Sequence, residues 1–508
     1  MITDVLIIGG GITARIAAKT VAEQYSVTII SDGAGASPFI HGLNIPLLED
    51  DSCELLYRDT MESGRNQGSP ALVKALSYGS VHVKEKLYEH LDRCTDGSLE
   101  LLKPLGSSVA RVAGIEGRTG AYALKELCKN KKYTELTSVR ALSLIKNKDR
   151  VVGARVFDRK REVHFSIFAR AVLIATGGFG GVFRFSTNSR DIGGDGCAMA
   201  FMAGAELVDM EFIQYEPTVA VSPEPLVGKS IITTMLYEGA VMRSCRGERF
   251  MDERVGKDML SMGIANEMAR GGATPHGGVY YDMTAVPEEM LLGKYKDYFE
   301  RYMRCGIDIR KEAVEVAPAP HTTMGGIRID EKARTTVTGL FAAGEAAGGI
   351  HGANRLGGNA GLEVFVFGDI AGRAILEFLD GDDGVLLSEN EETESPDVPF
   401  DSAELKEALL SVCDRALGVI KNEKDMREAL GEVERIINSA VNRRDSFSWA
   451  RLFNDALTVR LVLCAAIERS ESIGAHIRSD ARAERGEKYR ISLSREENKL
   501  KLQRQTIV

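Results

Sequence analysis

The first thirty-two residues constrain the fold more than any other stretch of the chain. Asp4 to Ile8 (DVLII) is a short apolar, β-branched run that is typical of a buried strand. The segment GGGITA follows at once, then a helical pattern (RIAAKTVAEQY) and a second strand-like run ending in SD. This order of strand, glycine turn, helix and strand is the setting in which a dinucleotide-binding fingerprint is specific.

Each small residue of the glycine turn has a physical role in such a fingerprint. Gly9 permits a tight turn, and Gly11 lets backbone N–H groups and the helix N-terminus approach a pyrophosphate. Ala14 replaces the third glycine of the pattern and is still small enough for close packing of helix on sheet. An ordinary buried β–α turn is the alternative interpretation. The candidate nucleotide-binding residues here are Gly9, Gly10, Gly11, Ile12, Thr13 and Ala14.

The composition is that of an ordinary enzyme and excludes several other classes of protein. The 508 residues suffice for two or three domains, and 44% hydrophobic with 27% charged residues is typical of a globular fold. The net charge of −9 argues against a nucleic-acid partner. No apolar stretch reaches the roughly 18–20 residues that span a bilayer, and the N-terminus enters a strand directly, without a signal peptide. The sequence therefore predicts a cytoplasmic protein without a membrane span.

The eight cysteines are scattered, and no two have the spacing of a zinc or iron–sulfur motif. We therefore expect buried, reduced thiols and no metal site in this chain. An iron–sulfur cluster, if the activity needs one, would have to come from another protein.

Changes of pattern along the chain indicate its domain organisation. Strand-like and helical runs alternate over 1–213 and return over 319–378. Residues 214–318 are richer in methionine and charge and contain short mixed elements, which indicates an inserted domain. Residues 379–400 form an acidic linker poor in aromatic residues. Residues 401–508 show helical apolar spacing, with a polar final stretch that we expect on the surface.

Eight blocks in a fixed order carry a resemblance to one family. They are GGGITA, ATGG, GGDG, MEFIQYEPT, HTTMGG, GLFAAGE, HGANRLGGNAG and RSESIGAHIRSD. Over residues 2–480 the chain resembles the flavoprotein subunit of fumarate reductase and succinate dehydrogenase, and L-aspartate oxidase. The resemblance implies an α/β fold with a Rossmann-type FAD-binding domain (1–213 and 319–378), an inserted α+β capping domain (214–318) and a C-terminal helical domain (401–508).

The resemblance also implies which residues bind FAD. Ser31 lies where related chains carry a serine near the adenosine ribose, and Asp32 is the alternative. Asp195 would contact FAD, Glu345 would lie near the ribityl chain, and the ATGG segment would line the pyrophosphate and isoalloxazine region. The helix that starts at Asn359 would stabilise negative charge on the reduced ring. The residues so assigned are Ser31, Asp32, Ala175, Thr176, Gly177, Gly178, Asp195, Gly344, Glu345, Asn359, Ala360 and Leu362.

The sequence predicts FAD without a covalent link to the chain. Succinate dehydrogenases attach FAD through a histidine in a Ser-His-Thr stretch after the second strand, and an ungapped match places Phe39 at that position. His41 lies two residues further on and keeps covalent attachment open as an alternative.

Reduction of a C=C bond conjugated to a carboxylate needs a hydride from flavin N5, groups that clamp the acid, and a proton donor on the opposite face. The resemblance implies that His321 (in HTTMGG) binds the substrate and that Arg355 (in HGANRLGG) clamps a carboxylate. A guanidinium suits this role because it can bind both carboxylate oxygens. The alternatives are a structural ion pair for Arg355 and a hydrogen-bonded core histidine for His321.

Other positions of the substrate site differ from the family. Glu216 replaces a histidine of the family's QYHPT motif, and Ile232 and Thr233 replace a Thr-Glu pair. Lys257 replaces the proton-donating arginine and loses its planar fork; a surface charge is its alternative role. A buried, ionised Glu216 would repel a dicarboxylate, which argues against fumarate or succinate and for a cationic or neutral polar group. Aspartate has the right charge, but the missing Thr-Glu pair argues against an ordinary aspartate oxidase.

The sequence leaves three functions open. The leading hypothesis is an FAD-dependent oxidoreductase that acts on a small carboxylic acid other than fumarate. In this hypothesis Arg355 and His321 clamp the carboxylate, and Lys257 is the acid/base group. The flavin exchanges electrons with an iron–sulfur protein or another electron carrier. The second is an oxidase like L-aspartate oxidase, which returns electrons to oxygen. The third is a non-catalytic electron-transfer subunit of a larger redox complex, which the changed substrate-site residues suggest.

Overall fold

The protein is represented by a computed structural model that describes residues 1–33, 35–94, 96–129, 131–382, 393–394, 403–482, 488–497 and 499–507. The helices are α1 (Ile12–Val21), α2 (Cys53–Ser63), α3 (Pro70–Leu87), α4 (Thr119–Leu127), α5 (Asp195–Ala203), α6 (Lys257–Glu267), α7 (Glu288–Leu292), α8 (Lys296–Met303), α9 (Asn359–Asp380), α10 (Ala403–Ala416), α11 (Glu423–Ala440) and α12 (Phe447–Glu468). Across these residues, no helix is long and apolar enough to cross a lipid bilayer.

The strands, in chain order, are β1 (Ile2–Ile8), β2 (Val27–Ser31), β3 (Leu43–Asn44), β4 (Leu101–Leu102), β5 (Val112–Ala113), β6 (Thr134–Thr137), β7 (Val139–Asn147), β8 (Arg150–Asp158), β9 (Val163–Ile174), β10 (Leu207–Val208), β11 (Ile213–Ala220), β12 (Val241–Arg243), β13 (Val279–Asp282), β14 (Val314–Thr323), β15 (Gly326–Arg328), β16 (Leu340–Ala342), β17 (Ala347–Gly348), β18 (Thr393–Glu394), β19 (Ile420–Lys421), β20 (Ile477–Arg478), β21 (Tyr489–Glu496) and β22 (Lys499–Thr506).

A sheet built on parallel strands forms the centre of the fold. Its order is β6-β2-β1-β9-β8-β7, and β16 pairs with the last residues of β9. β1 lies between β2 and β9, with Ile8 opposite both Ile30 and Ile174. These strands are apolar and almost entirely buried, as strands covered on both faces are. Their carboxyl ends meet at one edge of the sheet, where the glycine turn follows β1. The predicted α/β, Rossmann-type fold class is confirmed.

Helices α1 and α9 pack against each other beside this sheet. A Cβ on Gly368 would lie 3.0 Å from the carbonyl oxygen of Thr13, and a Cβ on Gly372 would lie 3.2 Å from the Cα of Ala17. The missing side chains allow the two helix backbones to approach closely. This contact fixes α9, and with it the glycine-rich loop that precedes it, relative to the glycine turn.

A second, antiparallel sheet has the order β11-β14-β13-β12 and a hydrophobic core of its own. Tyr281, Tyr295 and Tyr302 are almost fully buried in this core. β11 and β14 are neighbours, with Glu216 opposite Ala319, so the pairing brings the QYEPT and HTTMGG segments together. The sheet lies in the segment expected to be the inserted domain; the boundaries 214–318 stay a prediction.

The C-terminal segment contains the expected helices α10, α11 and α12, and in addition a hairpin that was not predicted from the sequence. β21 and β22 pair antiparallel, and β21 also pairs with β10. Ile491 and Leu493 are fully buried and alternate with polar residues. This period of two is a strand signal, but it is short and lies in a polar stretch. Of the predicted acidic linker 379–400, residues 383–392 and 395–400 lie outside the described residues.

Candidate active site

A continuous cavity runs along the carboxyl edge of the parallel strands and reaches the antiparallel sheet. We call its two parts the cofactor end, around the glycine turn, and the substrate end, around Glu216, Lys257, His321 and Arg355, all of which line it. The predicted cofactor residues that line the cavity are Gly9, Gly10, Gly11, Thr13, Ser31, Asp32, Ala175, Thr176, Gly177, Asp195, Gly344, Glu345 and Ala360. The structure therefore brings the two predicted sets of residues into one space.

The remaining predicted cofactor residues support the cavity from behind. Ile12, Ala14 and Leu362 are fully buried in the hydrophobic core. Asn359 accepts a hydrogen bond from the Asn44 amide at 2.7 Å and donates one to Thr60 Oγ1 at 2.9 Å. Gly178 packs on Glu345, whose carboxyl carbon would lie 2.8 Å from an added Cβ. For this group the geometry favours a positioning role over direct cofactor contact.

The glycine turn has no room for a side chain at its first position. Gly9 has a φ of +119°, and an added Cβ would lie 2.1 Å from the carbonyl oxygen of Ala175 at the end of β9. Positive φ angles of this kind favour glycine. The end of β1 and the end of β9 are therefore in direct backbone contact at the cofactor end.

Three helices that begin at the cofactor end of the cavity have a glycine N-cap and no side-chain cap: α1 at Gly11, α5 at Gly194 and α9 at Gly358. Exposed N–H groups and the helix dipole attract anionic groups. Ser37 Oγ accepts the Ile12 N–H at 3.0 Å, so that donor is already used. The cavity thus fits a long cofactor with a pyrophosphate and a ring that becomes negative when reduced.

Ser31 and Asp32 have different surroundings at the end of β2. Ser31 faces the glycine turn, because an added Cβ on Gly10 would lie 2.9 Å from its Cβ. Asp32 is held in ion pairs with Arg140 at 3.4 Å and Arg159 at 2.9 Å. The geometry favours Ser31 as the polar group offered to a ribose and leaves Asp32 engaged within the protein.

Arg140 is a cofactor-end residue that was not predicted from the sequence. It is buried, lines the cavity and links Asp32 to Asp195, whose Oδ2 lies 3.1 Å from its Nε. Burial alone would lower the pKa of Arg140, but the charges of Asp195, Asp455 and Asp32 outweigh it and raise the pKa. An arginine inside the apolar strand SVRALSLI was the available signal, since a buried charge requires partners.

Glu345 lies between the two ends of the cavity. Its Oε1 accepts the backbone N–H of Thr323 at 3.0 Å. Burial raises the pKa of Glu345, which the Thr323 hydrogen bond opposes. A carboxyl group with a raised pKa can donate a hydrogen bond as well as accept one.

Glu216 and Lys257 form a buried ion pair at the substrate end. Glu216 lies on β11, and Lys257 is the first residue of α6, which packs on that strand. A cation at a helix N-terminus is unfavourable, so the carboxylate compensates both its charge and its burial. Nothing in the sequence predicted that these two residues would pair.

His321 is the second polar group around the Glu216 carboxylate. Its Nε2 lies 3.8 Å from Glu216 Oε2, and its Nδ1 lies 2.8 Å from Thr187 Oγ1. Burial, followed by the charges of Lys257 and Arg355, holds the pKa of His321 well below its usual range. The imidazole is therefore neutral at ordinary pH and acts as a hydrogen-bonding group.

Arg355 is buried at the substrate end but is not consumed by an ion pair. Its Nη1 donates to the carbonyl oxygen of Leu356 at 3.3 Å, and its Nε has no partner among the described residues. Gln214 Nε2 donates to the Arg355 carbonyl at 2.8 Å and holds the main chain in place. Burial lowers the pKa of Arg355, although Glu216 opposes the shift. The unpartnered donor argues against a purely structural ion pair.

The wall of the substrate end also contains residues outside the predicted set. Ile232 and Thr233, which replace the family's Thr-Glu pair, line the cavity together with Tyr298 of α8 and His41 of the loop after β2. Phe39 lines it as well, and its side chain is 53% exposed. No motif of the sequence indicated Tyr298.

A cofactor cleft lies at the carboxyl edge of a Rossmann-type sheet and opens onto a pocket lined by charged side chains. A protein-family model described as an FAD binding domain matches residues 4–360. A fumarate reductase (CoM/CoB) subunit of Methanothermobacter marburgensis is 32% identical, over 94% of each chain. L-aspartate oxidase of Halobacterium salinarum is also 32% identical, over 95% of this chain and 97% of its own.

A solved structure of Mycobacterium smegmatis Sdh1 in complex with UQ1 is 26% identical and superposes with a TM-score of 0.84, covering 100% of this chain and 94% of the other. The chain belongs to the family of FAD-dependent oxidoreductases that includes L-aspartate oxidase and the fumarate reductase flavoprotein.

Proposed function

We propose that the protein reduces the C=C bond of a small unsaturated carboxylic acid. The observation that carries this proposal is the Glu216–Lys257 ion pair, which shares one cavity with His321 and Arg355. A proton source and a carboxylate clamp are the two things that the reaction requires of the protein.

Arg355 and His321 bind one carboxylate of the substrate. Arg355 lines the cavity and forms no ion pair within the described part of the chain, so its guanidinium is available as a charge-assisted donor, which forms stronger hydrogen bonds than a neutral donor. The neutral imidazole of His321 adds a hydrogen bond without competing for the negative charge. Together they fix the position of the adjacent C=C bond.

Lys257 delivers the proton to the carbon that does not receive the hydride. Glu216 holds the ammonium group in place and balances its charge in the buried pocket. Fumarate was disfavoured from the sequence on the premise that Glu216 faces the substrate as an uncompensated charge. Because Lys257 neutralises it, that premise no longer holds, and dicarboxylates such as fumarate enter the proposed substrate class.

FAD is held non-covalently by the cofactor end, through the glycine turn, Ser31 and the N-termini of α5 and α9. When bound, FAD supplies the hydride and exchanges electrons with a partner. We propose an iron–sulfur protein or another electron carrier as that partner, and a cytoplasmic location. Phe39 cannot form the covalent link, which supports a dissociable cofactor.

The test is an anaerobic reoxidation experiment with the FAD-loaded, dithionite-reduced protein, followed by visible flavin absorbance. We expect fumarate or another 2-enoic acid to reoxidise it, and Lys257→Met to slow that step by about 10²–10⁴-fold. Lys311→Met, which removes an exposed lysine of the same segment, is the matched control. If no acid reoxidises the wild type while an iron–sulfur protein does, the chain is an electron-transfer subunit instead.

Oxidation of an amino acid is the second candidate function. The Halobacterium relative at 32% identity is an L-aspartate oxidase, and in this reaction a substrate ammonium would take the place of Lys257 beside the Glu216 carboxylate. The oxidase hypothesis predicts flavin reduction and peroxide release when L-aspartate is added in air. The reductase hypothesis predicts neither.

A further inference from the structure

His41 projects into the cavity from a fixed stretch of main chain. Its carbonyl oxygen accepts a hydrogen bond from Thr119 Oγ1 at 2.6 Å, and the Ile40 carbonyl accepts one from the Gly120 N–H at 3.0 Å. Two residues further on, β3 pairs with β5. The first turn of α4 and the small sheet thus hold the backbone, while the imidazole extends beyond it.

The His41 imidazole has no hydrogen-bond partner among the described residues. It is accessible through the cavity, yet enough protein surrounds it that burial, followed by the charge of Arg301, lowers its pKa. The ionisable groups close enough to affect it, or to be affected by it, are Arg301, Glu216, Lys257, Asp297 and His321. His41 therefore lines the same cavity as Glu216, Lys257 and His321, and it does so from the FAD-binding segment.

Helix α8 contributes one more group on this side of the cavity, Tyr298. The Tyr298 hydroxyl has no hydrogen-bond partner in the described part of the chain, and Tyr298 lines the cavity. The Arg301 guanidinium lies over the Tyr298 ring, 5.1 Å from its centroid. An imidazole N–H and a phenol O–H are both donors, so this side suits an oxygen acceptor such as a carboxylate.

We propose that His41 contacts the substrate and donates a hydrogen bond to the carboxylate that lies away from Arg355. The inference rests on the proposed function and names one residue that would distinguish a dicarboxylic acid from a monocarboxylic acid. A neutral imidazole adds a directed donor there without another buried cation. His41 is then a specificity-determining residue.

The experiment compares fumarate with crotonate, which lacks the second carboxylate, in the FAD-loaded wild type and in His41→Gln and His41→Ala. Dissociation constants come from the perturbation of oxidised flavin absorbance. Loss of one hydrogen bond to a charged group weakens binding by about tenfold or more. We expect His41→Ala to weaken fumarate binding by that factor and His41→Gln to recover part of the loss. Crotonate should bind with equal affinity to the wild type and to His41→Ala. His82→Gln, a substitution of an exposed histidine on α3, is the control.

Three results would overturn the proposal. If wild type and both variants bind fumarate equally, His41 does not contact the substrate, and the proposed function stands. If flavin stays with acid-precipitated wild-type protein but is released from His41→Gln, the residue is a flavin attachment site. If the wild type responds to no acid at all, by binding or by reoxidation, the proposed function fails first and the role of His41 fails with it.

Discussion

At the cofactor end the cavity is made largely of backbone, whereas at the substrate end it is made of charged side chains. Gly9 and the uncapped starts of three helices shape the first region. Glu216, Lys257 and Arg355 shape the second. A surface formed by closely packed backbone has no room for an added side chain, so such a substitution prevents cofactor binding. A side-chain surface can change in pairs, as long as each buried charge keeps a partner.

The largest effect should come from adding a side chain to the backbone surface. In Gly9→Val the new Cβ would lie 2.1 Å from the Ala175 carbonyl oxygen, at a φ that a β-branched residue rarely adopts. We expect a complete loss of bound FAD, measured as the flavin-to-protein absorbance ratio after purification. Gly431→Ala is the control, because no atom lies within 4 Å of its added Cβ. Normal flavin content in Gly9→Val would contradict a backbone-built cofactor end.

The next effect concerns the clamp at the substrate end. Arg355→Ala removes a buried charge-assisted donor, a loss of about 3–5 kcal/mol, which corresponds to roughly 10²–10⁴-fold in kcat/KM. FAD content should not change, because the residue belongs to the substrate end. Arg355→Lys should recover little activity, since the ammonium group lacks the planar fork. Unchanged kcat/KM for every unsaturated acid would remove Arg355 from the clamp.

The third effect, on stability and not on catalysis, tests whether Glu216 and Lys257 change as a pair. Each of Glu216→Gln and Lys257→Met leaves one buried charge without its partner, at a cost of about 3–5 kcal/mol in the free energy of unfolding. The double variant should be more stable than the sum of the two losses predicts, while its reductase activity stays low. Chemical denaturation of the four proteins gives the coupling energy. Simple additivity would mean that the ion pair does not form.

The sequence predicted the cofactor end, which is made of backbone, better than the substrate end, which is made of side chains. The glycine turn and the ends of β1 and β9 were predictable, because backbone geometry restricts the residues at Gly9 and Gly11. The Glu216–Lys257 contact could not be predicted, because the two residues are 41 positions apart and each was considered only as the replacement of a family residue. Arg140 and Tyr298 carry no local motif, and the β21–β22 hairpin is too short and too polar for its alternation to stand out. Non-local side-chain pairing is thus the part that needed the structure.

The smallest effect lies behind the cofactor end, where an added Cβ on Gly193 would lie 2.1 Å from Asp455 Oδ1. Burial raises the pKa of Asp455 to about 6 from an ordinary value of 3.8, although Arg451 and Arg140 oppose it. Between these two pH values the unfolded chain has lost the proton that the folded protein retains. Stability contributed by this group therefore falls as pH rises through that window, by an amount on the order of 1–3 kcal/mol.

In Asp455→Asn the new side chain is neutral at every pH, so the loss of stability with rising pH should be smaller in this variant. The measurement is the difference in thermal unfolding midpoint between pH 5 and pH 7 for the FAD-loaded proteins. Asp445→Asn, a substitution of an aspartate that is 88% exposed, should keep the wild-type difference. An equal difference in wild type and Asp455→Asn would show that Asp455 is ionised in the folded protein. The cofactor end would then have one more buried charge behind it, in addition to Arg140 and Asp195.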